Sequence, residues 1–130
     1  MRWITVLFLL LAASAADRDL AGRYAGQWKS TGSGGEGAIR LNLEPGADGA
    51  WKCDVVFTFA GSDVTTTVKS VKLNQSKLEI SYDFDLLGNK LRSKTEGQWD
   101  GKAFTGHYWT TVADGDTDVD QGEWNATPAK

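Results

Sequence analysis

Few residues in this chain carry the side-chain chemistry of a catalyst. The only histidine is His107 and the only cysteine is Cys53. Histidine moves protons near neutrality, but it needs a nucleophile or an orienting carboxylate within hydrogen-bond reach. His107 alternates with Tyr108 and shares its side of the chain with Thr105 and Trp109. A Ser-His-Asp or Cys-His arrangement would therefore sit on an outer wall, and an ordinary surface residue is the better reading. Cys53 lies on one face with Trp51 and Val55, with no histidine beside it, which fits a buried thiol acting as a small hydrophobe. Carboxylates are plentiful, yet none is placed in an apolar setting opposite a second one, as acid–base pairs require. We expect no enzyme, no cofactor and no metal. Asp114, Asp116 and Asp118 do match the opening of a calcium loop. The match then fails, because Val119 stands where the loop needs Gly and Asn125 where it needs a bidentate Glu. Alternate aspartates on one strand share a face, so a cation site there remains the alternative to a solvated acidic turn.

A different pattern points to binding. Gly26-Gln27-Trp28, Gly97-Gln98-Trp99, Gly106-His107-Tyr108 and Gly122-Glu123-Trp124 repeat Gly-x-aromatic. Spacing two puts each glycine on the same face of a strand as its ring. Such glycines either seat a large group from elsewhere or floor a pocket. With the small inward residues Ser93 and Thr95, the rings Trp28, Trp99, Tyr108 and Trp124 form the candidate ligand-binding set.

The elements that would hold these residues are strands. Val, Thr, Ile, Phe, Tyr and Trp fill short segments separated by Gly-, Asn-, Asp- and Ser-containing breaks. The predicted strands are 22–29, 36–44, 50–59, 63–73, 77–85, 90–99, 102–111 and 118–126. Asp48-Gly49, Asp100-Gly101 and Asp114-Gly115 read as two-residue hairpin turns. Alternation is clear: Cys53, Val55 and Phe57 lie opposite Lys52, Asp54 and Thr58, and Leu78, Ile80, Tyr82 and Phe84 lie opposite Lys77, Glu79, Ser81 and Asp83. Strand 63–73 changes parity between Val68 and Val71, so a bulge is expected near Lys69-Ser70. No long window keeps helical spacing. Successive tight hairpins make a meander, and closure removes unpaired edges. The expected fold is all-β, a single eight-stranded antiparallel up-and-down barrel, with a β-sandwich as the alternative.

The N-terminus reads as an export signal. Arg2 precedes an apolar run from Ile4 to Leu11, and Ala13-Ser14-Ala15 offers a small-x-small cleavage site. The run falls short of the roughly 20 apolar residues a membrane helix needs. Residues 1–15 are thus expected to be a signal peptide and 16–130 one domain, exported to a periplasm or the extracellular space. Asn74-Gln75-Ser76 and Asn125-Ala126-Thr127 fit glycosylation sites in a eukaryotic secretory route. The net charge of the whole chain is −3, with basic and acidic residues interleaved and no Lys/Arg cluster. Nothing there favours nucleic acid or, after signal cleavage, a membrane surface. A lone thiol cannot form an internal disulfide, so the fold must rest on its core.

Gly26-Gln27-Trp28 in the first strand of a small eight-stranded meander resembles the calycin superfamily, the lipocalin and avidin-type barrels. The resemblance covers the strand count and that motif, and the mature length is closer to the avidin type. It implies a barrel that holds a small apolar ligand, or one that inhibits proteases; no family contact residues are carried over. The expected function is an exported binding module for a small, largely apolar ligand in the barrel interior or mouth. The alternative is a protein-interaction or protease-inhibitor-like domain that acts through its loops around a filled barrel.

Overall fold

Segments that alternate apolar and polar cannot bury a helical stripe, but they can line one side of a sheet. The computed structural model, which describes residues 19–129, is accordingly an antiparallel up-and-down barrel, nearly closed. The proposed signal peptide, 1–15, lies outside the described residues. The strands are β1 (Gly22–Ser30), β2 (Glu36–Pro45), β3 (Trp51–Phe59), β4 (Ser62–Thr65), β5 (Thr67–Asn74), β6 (Lys77–Leu86), β7 (Asn89–Trp99), β8 (Phe104–Val112) and β9 (Asp118–Pro128). Their order in the sheet is β4-β3-β2-β1-β9-β8-β7-β6-β5. The last strand pairs with the first, with Trp28 opposite Trp124.

Nine strands appear where eight were expected, for a local reason. The stretch expected as one strand, 63–73, is divided at Thr66, and its two halves pair with different neighbours. β4 pairs with β3 and β5 pairs with β6. Thr66 marks the change, its hydroxyl donating to the Val55 carbonyl at 2.7 Å. The two edges of the sheet are thus consecutive pieces of chain, and β5 packs against β3 across the seam. The expected bulge is present: the β5–β6 register shifts between Val68 and Ser70. Without it, Val71 and Leu73 would face water.

The turns differ from expectation. Two-residue connections with both central residues at positive φ occur at Ala60-Gly61, Gln75-Ser76 and Leu87-Gly88, as the right-handed twist of paired strands requires. The Asp-Gly pairs lie in longer connections. Asp48-Gly49 sits in a 3-10 turn, Ala47–Gly49. Asp100 accepts the backbone N–H groups of Lys102 and Ala103, each at 2.8 Å; these bonds hold its carboxyl below the usual carboxylate range.

Inward side chains close one end. Tyr24, Trp99 and Phe104 meet edge-on or tilted at centroid distances of 5.1–6.0 Å, and Phe104 is fully buried. The Tyr24 hydroxyl donates to the Leu20 carbonyl at 2.6 Å, pinning the chain entry across that end. Cys53, Leu43, Leu73 and Leu78 complete this packed half.

Candidate functional site

The other half of the barrel is a cup. A cavity of about 470 Å³ opens between the connections that follow β1, β3, β6 and β8. Ligand pockets generally span about 300–1,000 Å³. Its hollowness traces to side-chain size. β2, β3 and β6 send in Ile39, Phe57, Tyr82 and Phe84, whereas β7 and β8 answer with Ser93, Thr95 and Thr110. Small residues facing large ones across a barrel of this strand number leave room for one small molecule.

The aromatic wall is rigid. Trp28 stands edge-on to Phe57 (6.3 Å, 88°) and to Tyr108 (6.1 Å, 90°), and Phe57 edge-on to Phe84 (5.0 Å, 84°). Both indole N–H groups are engaged outside the cup: Trp28 Nε1 donates to the Thr58 carbonyl at 3.0 Å and Trp124 Nε1 to the Glu96 carbonyl at 2.9 Å. Their rings therefore offer the cup hydrocarbon rather than donors. Trp124 forms the floor, stacked on Phe104 of the closed half at 6.4 Å.

The repeated glycines serve packing. A Cβ on Gly97 would lie 2.5 Å from Trp124 Cζ2, and one on Gly122 would lie 2.7 Å from the Tyr108 ring. Each is the seat of a ring from the adjoining strand or the one beyond. None of the repeat's glycines lines the cup, so the pocket-floor reading of them is not what the structure shows.

Polar groups gather on one side of the cup. Tyr82 is paired with Ser93, Ser93 with Thr110, and Thr110 with Asp120, forming one row across β6, β7, β8 and β9. Ser93 and Thr110 share a hydrogen bond of 2.5 Å. Asp120 accepts from the Tyr108 hydroxyl at 2.9 Å and from Ser30 Oγ at 2.6 Å. Ser30 Oγ in turn accepts the backbone N–H groups of Gly32 and Ser33 at 3.1 and 2.9 Å, so Asp120 ties the β1–β2 connection over the mouth. Burial pushes the Tyr108 hydroxyl's pKa up, and its bond to the Asp120 carboxylate pushes the same way. Burial also raises that of Tyr82, partly offset by the nearby Thr95 and Ser93 hydroxyls. Thr95 is 2% exposed, and its Oγ1 is the one buried side-chain polar atom among the described residues without a well-formed hydrogen bond.

Of the six residues in the expected ligand-binding set, Trp28, Ser93, Thr95, Tyr108 and Trp124 line the cup, and Trp99 does not. Trp99 ends β7 at the closed end, against Tyr24 and Phe104. Thr110 and Asp120 were not in that set. Asp120 keeps the parity of Gly122 and Trp124, a signal available in the sequence. It was obscured by the run of alternating aspartates, which do not share a face as expected. The β8–β9 register shifts between Thr110 and Thr111, placing Asp120 opposite Thr110 and Asp118 opposite Thr111, with Val119 extra. Asp114, Asp116 and Asp118 are exposed, and among the described residues no three His, Cys, Asp or Glu side chains could hold a metal ion together.

His107 lies on the outer wall, stacked with Trp109 at 6.2 Å, between Glu96 of β7 and Glu123 of β9. Cys53 is buried in the closed half, its pKa pushed up to about 12 chiefly by burial, the opposite of an activated thiol. Comparison with protein-family models, with curated proteins and with solved structures finds no match to this chain. The barrel itself is compatible with a calycin-like architecture.

Proposed function

We propose that this chain is a calycin-like binding module, acting after export, whose cup holds a small, largely apolar ligand. The observation that carries the reading is the half-hollow interior. One end is packed by its own rings, while the other encloses about 470 Å³ between a rigid aromatic wall and small side chains. Rings already fixed by hydrogen bonds and edge-on contacts lose little freedom when a ligand arrives, which lowers the cost of binding. The alternative is a loop-acting interaction or inhibitor domain around a filled barrel. Leu87 and Val119 stand exposed at the rim and would suit it, but the interior of one half is hollow rather than filled. The proposed role is binding without turnover. Among the described residues the one carboxylate lining the cavity, Asp120, is taken up by the Tyr108 and Ser30 hydroxyls. Burial and that bond push the Tyr108 pKa up, away from a nucleophilic phenolate.

Native mass spectrometry of protein purified without unfolding tests this, together with equilibrium dialysis against naphthalene. The expected result is a small apolar molecule retained on the folded chain, or saturable one-to-one binding of naphthalene to the emptied protein. A chain that carries nothing and does not take up naphthalene defeats the reading.

A further inference from the structure

The cup is two-sided in chemistry as well as in size. On one side stand Trp28, Phe57 and Phe84. On the other runs the row Tyr82, Ser93, Thr110 and Asp120, each residue directly opposite the next across four neighbouring strands. Ser93 and Thr110 share one hydrogen bond, and Asp120 already accepts from Tyr108 and Ser30. Yet one hydroxyl proton of the Ser93–Thr110 pair and the spare lone pairs of the row, Asp120's above all, have capacity left. A purely hydrocarbon ligand would strip that capacity of water and not replace it. Thr95, one step deeper on β7, adds a buried hydroxyl oxygen with no well-formed hydrogen bond. The charge balance is equally one-sided. Among the described residues, Asp120 is the only charged one lining the cavity, and no Lys, Arg or His lines it. A ligand carboxylate would lose its hydration, find no cation, and meet a second carboxylate at the mouth. A carboxylate accepts hydrogen bonds and cannot donate them, so the mouth favours a donor.

Resting on the ligand-cup reading above, we infer that the natural ligand is an uncharged ring compound carrying a hydroxyl, with its ring against the aromatic wall and its O–H on the Ser93–Thr110–Asp120 row. Acidic ligands of the same size are excluded. The row is a specificity device: it selects among apolar molecules by the group at their edge.

The test uses three probes of one skeleton: naphthalene, naphthol and naphthoate, the hydroxyl and carboxylate at the same ring position. Each is titrated into the full mature chain at neutral pH by calorimetry or dialysis. Naphthol should bind about three- to tenfold tighter than naphthalene, the yield of one net hydrogen bond, and naphthoate weakest of the three. The double variant Ser93→Ala/Thr110→Val removes both partners of one hydrogen bond together, a change that proteins generally tolerate. It should abolish the naphthol preference, so that naphthol and naphthalene bind that variant equally. Asp120→Asn should raise naphthoate affinity relative to that of naphthalene measured on the same variant. Thr95→Val is a second variant should the double variant fold poorly, and it should also reduce the naphthol preference. Naphthalene binding with no preference for naphthol, or with naphthoate equal or tighter, overturns this inference and leaves the cup standing. Failure of all three probes to bind overturns both.

Discussion

Gly97→Ala is a one-methyl change that probes the floor of the cup. The added Cβ would stand 2.5 Å from Trp124 Cζ2 and 2.9 Å from Cη2, where carbon contacts relax at about 3.5–4.0 Å. The ring must therefore retreat by about 1 Å. It is 3% exposed, held by its 2.9 Å bond to the Glu96 carbonyl and backed by Phe104, so its free side is the cup. Forcing an extra methyl into a packed site costs about 1–3 kcal/mol. Replacing glycine within a strand returns about 0.5–1 kcal/mol. The two ranges leave a net of about 0–2.5 kcal/mol. A clash as deep as 2.5 Å puts the expected destabilisation in the upper half of it, read in urea unfolding as a lower midpoint at unchanged slope. Naphthalene affinity should fall with it, because the ring moves into the ligand's space. Trp124→Leu removes the obstruction, so in that background Gly97→Ala should be neutral or stabilising, a coupling of about 1–2 kcal/mol. A Gly97→Ala variant as stable as the parent, or additive with Trp124→Leu, would refute the seating of the ring on this glycine.

Three further outcomes are expected. The buried Cys53 thiol should react with an aromatic disulfide reagent only after unfolding. With a folded pKa of about 12 against about 8.5 unfolded, the folded state keeps a proton that the unfolded state releases. Stability should therefore fall as pH rises above about 8.5, by at most about 1.4 kcal/mol per unit, and less steeply in Cys53→Ala; a flat profile between pH 8.5 and 10, measured by urea unfolding, contradicts it. Trp99→Ala removes a half-buried ring packed against Tyr24 and Phe104, so it should cost less than the about 3–5 kcal/mol of a fully buried ring and leave naphthalene binding intact. Trp109→Ala, 40% exposed on the outer wall, should cost less still; equal losses would contradict the assigned facings. Intact mass of the exported protein should place its start near Ala16 or Asp17, and retention of Met1 would rule out cleavage.

Which side of each strand faces inward was legible in the sequence, because side-chain direction alternates with a period of two and needs no knowledge of partners. Cys53, Val55 and Phe57 on β3 and Leu78, Ile80, Tyr82 and Phe84 on β6 are buried as their alternation indicates. The parity change in the fourth predicted strand located the bulge at Lys69. The meander was legible too, since short connections allow little else. Height along the barrel axis was not. Trp99 and Trp28 are both inward rings two residues after a glycine, yet one caps the packed end and the other lines the cup. The difference depends on hydrogen-bond register between strands, which is set by turn length and by bulges rather than by any residue's own preference. The extra residue at Val119 aligns Asp120 with Thr110 and parts it from Asp118, making one aspartate a cup residue and leaving the other in solvent. Seating Trp124 on Gly97, and joining Tyr82, Ser93, Thr110 and Asp120 into one row, likewise required strands far apart in the chain to meet at fixed heights. Local alternation chose the inner face; only the closure of the barrel decided which inner residues met, because register is a property of pairs of strands.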